Sequence, residues 1–227
     1  MNIWYGHLLA AVIHLAQFVV SMYMVVSDTD AIYAEITNHP GPSFSFQFKW
    51  LVPFFSLLSV FNHAMYLCRL WSPAVRWMEY SISAGLMFVL IGLMSGMSDL
   101  RAIIILLGAN VALQYTGYAS EIGPGDYSSM WDSKYGEPVA IAVGFVVFTF
   151  IETSLLLAYV TTVTSKSNVP PMVHVIVLFM VMAMSSFGIL AAARLSNAAR
   201  NWGYVILSIV SKSFLANATL FGSIRSE

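Results

Sequence analysis

Residues 202–223 read WGYVILSIVSKSFLANATLFGS, an apolar run as long as a bilayer crossing that carries one lysine, Lys212, near its middle. A helix needs about 20 apolar residues to cross the hydrocarbon core, and a cation inside one costs about 2.5–3.5 kcal/mol, so this lysine needs a reason to be there. Working outward from it, six more runs of the same kind lie at roughly 3–26, 50–70, 73–97, 101–120, 138–163 and 171–193. Spanning segments must satisfy their own backbone hydrogen bonds, and these runs are too long and too weakly alternating for barrel strands. The expected fold is an all-α bundle of seven transmembrane helices, a single domain over residues 1–227.

The composition agrees with a lipid solvent. Hydrophobic residues make up 59% of the 227 positions and charged residues 9%, with a mean hydropathy of +0.77, whereas a soluble domain carries roughly 25% charged residues. A net charge of −1 without any basic cluster excludes the electrostatic footprint of a nucleic-acid binder. The single cysteine, Cys68, excludes an internal disulfide and a cysteine-based zinc site. The opening residues lack a basic stretch and a small-residue cleavage site, so they read as the start of a retained helix and no signal peptide is expected.

Punctuation fixes several helix starts. Ser72-Pro73 fits an N-cap followed by proline at the first helical position, and Pro170-Pro171 and Glu137-Pro138 open the sixth and fifth segments in the same way. The connection 27–49 is long and holds two alternating stretches, Ala31 to Ile36 and Ser43 to Phe48, around Asn38-His39-Pro40-Gly41-Pro42. This pattern predicts a β-hairpin outside the membrane. Its Phe44, Phe46 and Phe48 share a face that either lids its own bundle or meets a second subunit. The loop Glu121 to Glu137 is acidic and polar, with no regular structure expected. Arg69, Arg76, Arg194 and Arg200 flank one set of loops against Arg101 and Lys166 on the other, which orients the amino terminus to the cytoplasm and the carboxyl terminus outside. Asn217-Ala218-Thr219 matches a glycosylation sequon but lies within the seventh segment, out of reach of the enzyme.

The chemistry rests on the ionisable residues inside the spans. An unprotonated lysine amine condenses with an aldehyde to form a Schiff base, and a protonated one, buried, needs a carboxylate partner. Glu79 is the best candidate: it lies six residues, about 9 Å, beyond Pro73, on a helix that runs in the same direction as the seventh. Lys212 sits deeper, but its long side chain tilts toward the amino-terminal end and spans the remaining gap of about 6 Å. A plain interhelical ion pair is the simpler alternative. His14 and His63, halfway along the first two spans, join Ser208 and Ser83, one turn from Lys212 and Glu79, as a possible polar network on the cytoplasmic side. For each histidine alone a satisfied core residue is the commoner explanation, and without a clear third ligand no metal site is expected. Glu152 is a second deep carboxylate: against apolar packing it stays neutral, and in a wet cavity it exchanges protons. Asn110 and Gln114, one turn apart in the fourth span, either border a bound group or bond helix to helix. No catalytic residue is assigned, and the chain is not read as an enzyme.

The stretches Arg76-Trp77-Met78-Glu79-Tyr80-Ser81-Ile82-Ser83 and Ile206-Leu207-Ser208-Ile209-Val210-Ser211-Lys212-Ser213 resemble heliorhodopsins. The hairpin after the first helix, His14, His63 and Leu107-Gly108-Ala109-Asn110 are similar to that family as well, so the resemblance covers nearly the whole chain. It implies all-trans retinal on Lys212, Glu79 as sole counterion, an amino terminus inside, and a homodimer built on the fourth and fifth helices and the hairpin. It also implies a retinal pocket to which Tyr80, Asn110, Leu113, Gln114 and Phe187 contribute. Ordinary microbial rhodopsins carry Asp four residues before the lysine, where this chain has Ser208, and a Trp in the sixth helix, where Phe187 is the equivalent. Glu152 departs from the family pattern.

Two functions follow. The first is a light receptor in which photoisomerisation moves the Schiff-base proton relative to Glu79 and signals through a partner or a dimer. The second is a light-gated passive proton conductor that uses Glu152. Pumping is disfavoured because Leu86 to Met94 supplies no second carboxylate. A pigment-free transporter built on a Lys–Glu pair is a third class, but no inverted repeat or helix broken at mid-membrane favours it.

Overall fold

The computed structural model describes residues 2–27, 34–38, 41–121, 136–165, 169–193 and 195–222. Seven helices account for most of them: α1 (Ile3–Ser27), α2 (Leu51–Leu67), α3 (Pro73–Met94), α4 (Leu100–Glu121), α5 (Gly136–Ser165), α6 (Pro171–Ala192) and α7 (Asn197–Gly222). All seven are long and apolar enough to cross a bilayer. The chain is therefore an integral, multi-pass membrane protein. The expected loop between Glu121 and Glu137 falls almost wholly at 122–135, outside the described residues, as do Lys166 and Arg194 of the charge count.

Local chemistry explains the helix ends. The Ser72 hydroxyl accepts a hydrogen bond from the Val75 amide, and Pro73 occupies the first turn, where its missing N–H costs nothing. At the other end of α3, Gly96 takes φ of +86°, which lets the Gly96 amide bond to the Leu93 carbonyl and the Met97 amide to that of Gly92. The helix therefore stops at Met94, three residues before the apolar run does. A Cβ at position 96 would also collide with Thr162, whose hydroxyl donates to the Ser95 carbonyl at 2.7 Å and ties α5 to this turn.

The β-hairpin is present but short: β1 (Ala34–Ile36) pairs antiparallel with β2 (Phe44–Phe46), Ile36 opposite Phe44. Residues 31–33 of the expected first stretch lie outside the described residues, and the second ends in a 3-10 turn, Phe48–Trp50, that leads into α2. The Thr37 amide donates to the Ser98 carbonyl and the Leu100 amide to the Thr37 carbonyl, docking the hairpin on the α3–α4 turn. Phe46 and Phe48 pack against the chain's own core, whereas Phe44 stays exposed. Of the two expected roles for this face, the lid is the one these contacts make.

The bundle is wrapped around α3. In its spanning window 67% of residues are buried, and in that of α7 56%, against 22% for α1 and α4. Apolar residues of α1, α4, α5 and α6, among them Val19, Ile105, Tyr115, Leu157 and Leu178, face outward as lipid-facing side chains should. The interior splits along its length. Toward the hairpin end Val52, Phe55, Phe88, Leu90, Ile176, Met180 and Leu215 form a fully buried apolar core, while toward the opposite end polar and aromatic side chains take over.

Candidate functional site

Lys212 and Glu79 meet where these two halves join. Burial leaves each almost no contact with solvent, and Lys212 Nζ lies 2.7 Å from Glu79 Oε1. A buried ion pair is stable only when its remaining hydrogen-bonding capacity is used. Ser59 of α2 supplies part of it: its hydroxyl accepts from Lys212 Nζ at 2.6 Å and lies 3.1 Å from Glu79 Oε1. The Tyr80 ring adds its negative face, with its centroid 5.4 Å from Lys212 Nζ. The sequence reading passed over Ser59. Its signal was the buried polar stripe Ser56, Ser59, Asn62 and His63, spaced by three or four residues along one face of α2.

A cavity opens from this pair between α3, α4, α5, α6 and α7, with about 840 Å³ of space free of protein atoms once the part open to its surroundings is included. Lys212, Tyr80, Ser83, Leu113, Gln114 and Phe187 all line it. Tyr80 and Phe187 stand edge to face with centroids 5.9 Å apart, and Phe187 stacks on Tyr204, so aromatic faces form one wall. Glycines keep the space open: at Gly117 a Cβ would collide with the Trp77 indole, and at Gly188 it would press on Phe145. The lining is overwhelmingly carbon, with one buried amine beside a carboxylate at its edge. It suits an elongated apolar molecule with an aldehyde at the lysine end.

The remaining sequence candidates divide. Asn110 donates from Nδ2 to the Ser81 carbonyl at 2.7 Å and accepts from Gln114, so it ties α4 to α3 behind the cavity wall. Ser208 is buried on α7, but no hydrogen bond among the described residues joins its hydroxyl to Lys212 or Glu79. Glu152 is buried with Oε2 unpaired, lines none of this cavity and makes no hydrogen bond to the pair. His14 and His63 do come together, their rings parallel with centroids 5.6 Å apart, and His7, which the sequence reading did not select, bonds to His63. Among the described residues no group of three or more histidine, cysteine or acidic side chains is arranged to hold a metal ion.

A second polar cluster closes the end of the cavity farthest from the hairpin. Arg76, counted in the sequence as a loop charge, is buried there; it pairs with Glu121 and donates to Asn201 Oδ1 at 2.9 Å. Trp77 Nε1 donates to the other Glu121 oxygen at 2.7 Å, and the guanidinium lies 4.6 Å from the Tyr204 ring centroid. These contacts join α3, α4 and α7.

Solved structures share this architecture at very low sequence identity. The light-driven proton pump of Leptosphaeria maculans superposes with a TM-score of 0.80 at 10% identity, covering 97% of this chain and 94% of that one. Bromide-bound halorhodopsin of Halobacterium salinarum gives 0.76 at 14% identity, with 95% and 90% covered, and the thermophilic rhodopsin of Rubrobacter xylanophilus gives 0.75 at 10%, with 97% and 96% covered. The fold is thus that of the microbial rhodopsins. No curated protein sequence matches. The family model for heliorhodopsins matches residues 3–224, and the chain belongs to the heliorhodopsin family.

Proposed function

We propose that the protein is a light receptor that carries all-trans retinal on Lys212 as a protonated Schiff base, with Glu79 as counterion. The observation that carries this reading is the 2.7 Å contact between Lys212 Nζ and Glu79 Oε1, buried at the edge of an apolar cavity. Family membership supports it independently. When bound, retinal supplies absorption of visible light and a light-driven change of shape. The chain supplies the rest. Lys212 gives the attachment, Glu79 balances the charge on the nitrogen, and Ser59 bridges the two. Tyr80, Leu113, Gln114 and Phe187 line the cavity and set its shape.

A change of shape in that cavity would shift the nitrogen of Lys212 relative to Glu79 and Ser59, the two groups that hold its proton. The charge inside the bundle then changes, which is the proposed switch. Its output is regulatory or sensory, through a partner or through a homodimer built on α4, α5 and the hairpin. The amino terminus is assigned to the cytoplasm, following the loop arginines. No further carboxylate lies on α3 beyond Glu79, which weighs against directional pumping. Retinal added to the purified protein should produce a visible absorption band that Lys212→Ala abolishes. A wild-type protein that forms no band with retinal would end this reading.

A further inference from the structure

Consecutive helices of the bundle pack side by side and α7 closes on α1, so α4 and α5 stand across the cavity from the helix that carries Lys212. Between them lies α3, which meets α7 through Glu79 and α4 through the Ser81 carbonyl. Packed helix axes are about 8–10 Å apart, and two such spacings put α4 roughly 16–20 Å from α7. An elongated molecule anchored on Lys212 therefore ends against α4 and α5. The surface it meets there is formed by Thr116, Gly117 and Ser120 of α4 and by Ala140, Ile141 and Gly144 of α5.

Two hydroxyls are set into this carbon surface, one helical turn apart on α4. Thr116 donates its proton to the Leu113 carbonyl and Ser120 donates to the Gly117 carbonyl, each at 2.7 Å. A hydroxyl has one proton and two lone pairs, so with the proton spent on the helix backbone each oxygen is left as an acceptor. Among the described residues no side-chain donor reaches either one: the facing positions are hydrocarbon or glycine, and the Trp77 indole N–H goes to Glu121. Glycine also keeps the Thr116 oxygen uncovered, because a Cβ at position 144 would lie 2.7 Å from Oγ1. A bare hydrocarbon ring at this end leaves the lone pairs facing carbon, and a ketone sets oxygen against oxygen. An alcohol supplies the missing proton.

We propose that this end of the cavity is a subsite for an alcohol, and that the molecule taken up on Lys212 is a retinal whose ring carries a hydroxyl at the carbon farthest from the chain. The proposal rests on the retinal reading above and narrows it. Thr116 and Ser120 accept from the ring hydroxyl, and Gly144 leaves room for its oxygen. The two ends of the cavity then select opposite chemistry: a nitrogen nucleophile for an aldehyde at α7, and a pair of acceptors for a donor at α4.

The test needs no covalent link. β-Ionone reproduces the ring end of retinal without the aldehyde, and its binding to the purified full chain without retinal is read by quenching of tryptophan fluorescence, since Trp77 lines the cavity. The derivative hydroxylated at the carbon farthest from the chain should bind about 2- to 10-fold tighter than β-ionone, the worth of one neutral hydrogen bond. The ketone at the same carbon should bind no tighter than β-ionone. When Thr116→Val and Ser120→Ala are combined, the advantage of the alcohol should vanish while the affinity for β-ionone stays. No difference among the three ligands, a ketone that matches the alcohol, or an advantage that survives the double substitution would overturn the subsite, and the first two outcomes need no variant. Retinal and its ring-hydroxylated counterpart are then compared as aldehydes, and the hydroxylated one should form the visible band at the lower concentration. No band from either, with the preference among the ionones intact, would end the retinal reading and leave the alcohol subsite standing, so the two failures are distinct.

Discussion

The two halves of the bundle interior, on either side of Lys212, are built from different materials. Toward the hairpin, Phe88, Leu90, Ile176, Met180 and Leu215 close a dry core with no titratable side chain among them. Toward the amino-terminal end stand three histidines, Asn62, the Arg76–Glu121 pair and Tyr204. Glu152 of α5 is buried as well but makes no hydrogen bond to Lys212 or Glu79, so the polar groups that contact Lys212 are Glu79 and Ser59.

The largest test of this contrast removes the charge at the junction. In Glu79→Gln the cation loses its buried partner, which costs about 3–5 kcal/mol and outweighs the protonated form. The visible band should give way at neutral pH to a near-ultraviolet one, and a variant that keeps the wild-type spectrum would show that Glu79 is not the counterion. Next, Leu90→Ala opens a void in the dry half and should cost about 2–5 kcal/mol, read as a lower midpoint for unfolding in detergent with the absorption band in place. A shifted band would mean that the two halves are coupled more closely than their composition implies. The smallest effect is expected from Ser59→Ala, which deletes the hydroxyl that contacts both Lys212 Nζ and Glu79 Oε1, hydrogen bonds to charged groups being worth about 1.5–3 kcal/mol each. It should move the absorption maximum and leave the band's amplitude intact, while an unmoved maximum would remove Ser59 from the counterion arrangement.

Much of this was legible in the sequence, for physical reasons that also explain the misses. Seven spans could be marked because apolar length is a one-dimensional property, and Lys212 and Glu79 stood out because charge inside such spans is costly. The ends were less legible. α7 starts at Asn197, not near 202, because its first turn holds polar residues that hydropathy reads as loop, and α3 stops early because Gly96 turns the backbone. Ser59 and His7 were missed for another reason. A serine or a lone histidine on a helix is ordinary, and what gives each its place is a partner 153 or 56 residues away in the chain. The spacing of Asn110 and Gln114 left open whether they border a bound group or bond helix to helix, and the packing of α4 on α3 gives the Asn110 amide to the Ser81 carbonyl.

The charges that flank the cavity come in two matched pairs, Lys212 with Glu79 and Arg76 with Glu121. Within these pairs the charges balance, and a unit charge displaced about 10 Å along the membrane normal would cross about a third of the hydrocarbon thickness. At 100 mV that displacement is worth about 0.8 kcal/mol. If the proposed switch displaces charge in this way, the lifetime of its displaced state is tied to the cell's voltage, and the same illumination would be reported differently by an energised and a depolarised membrane.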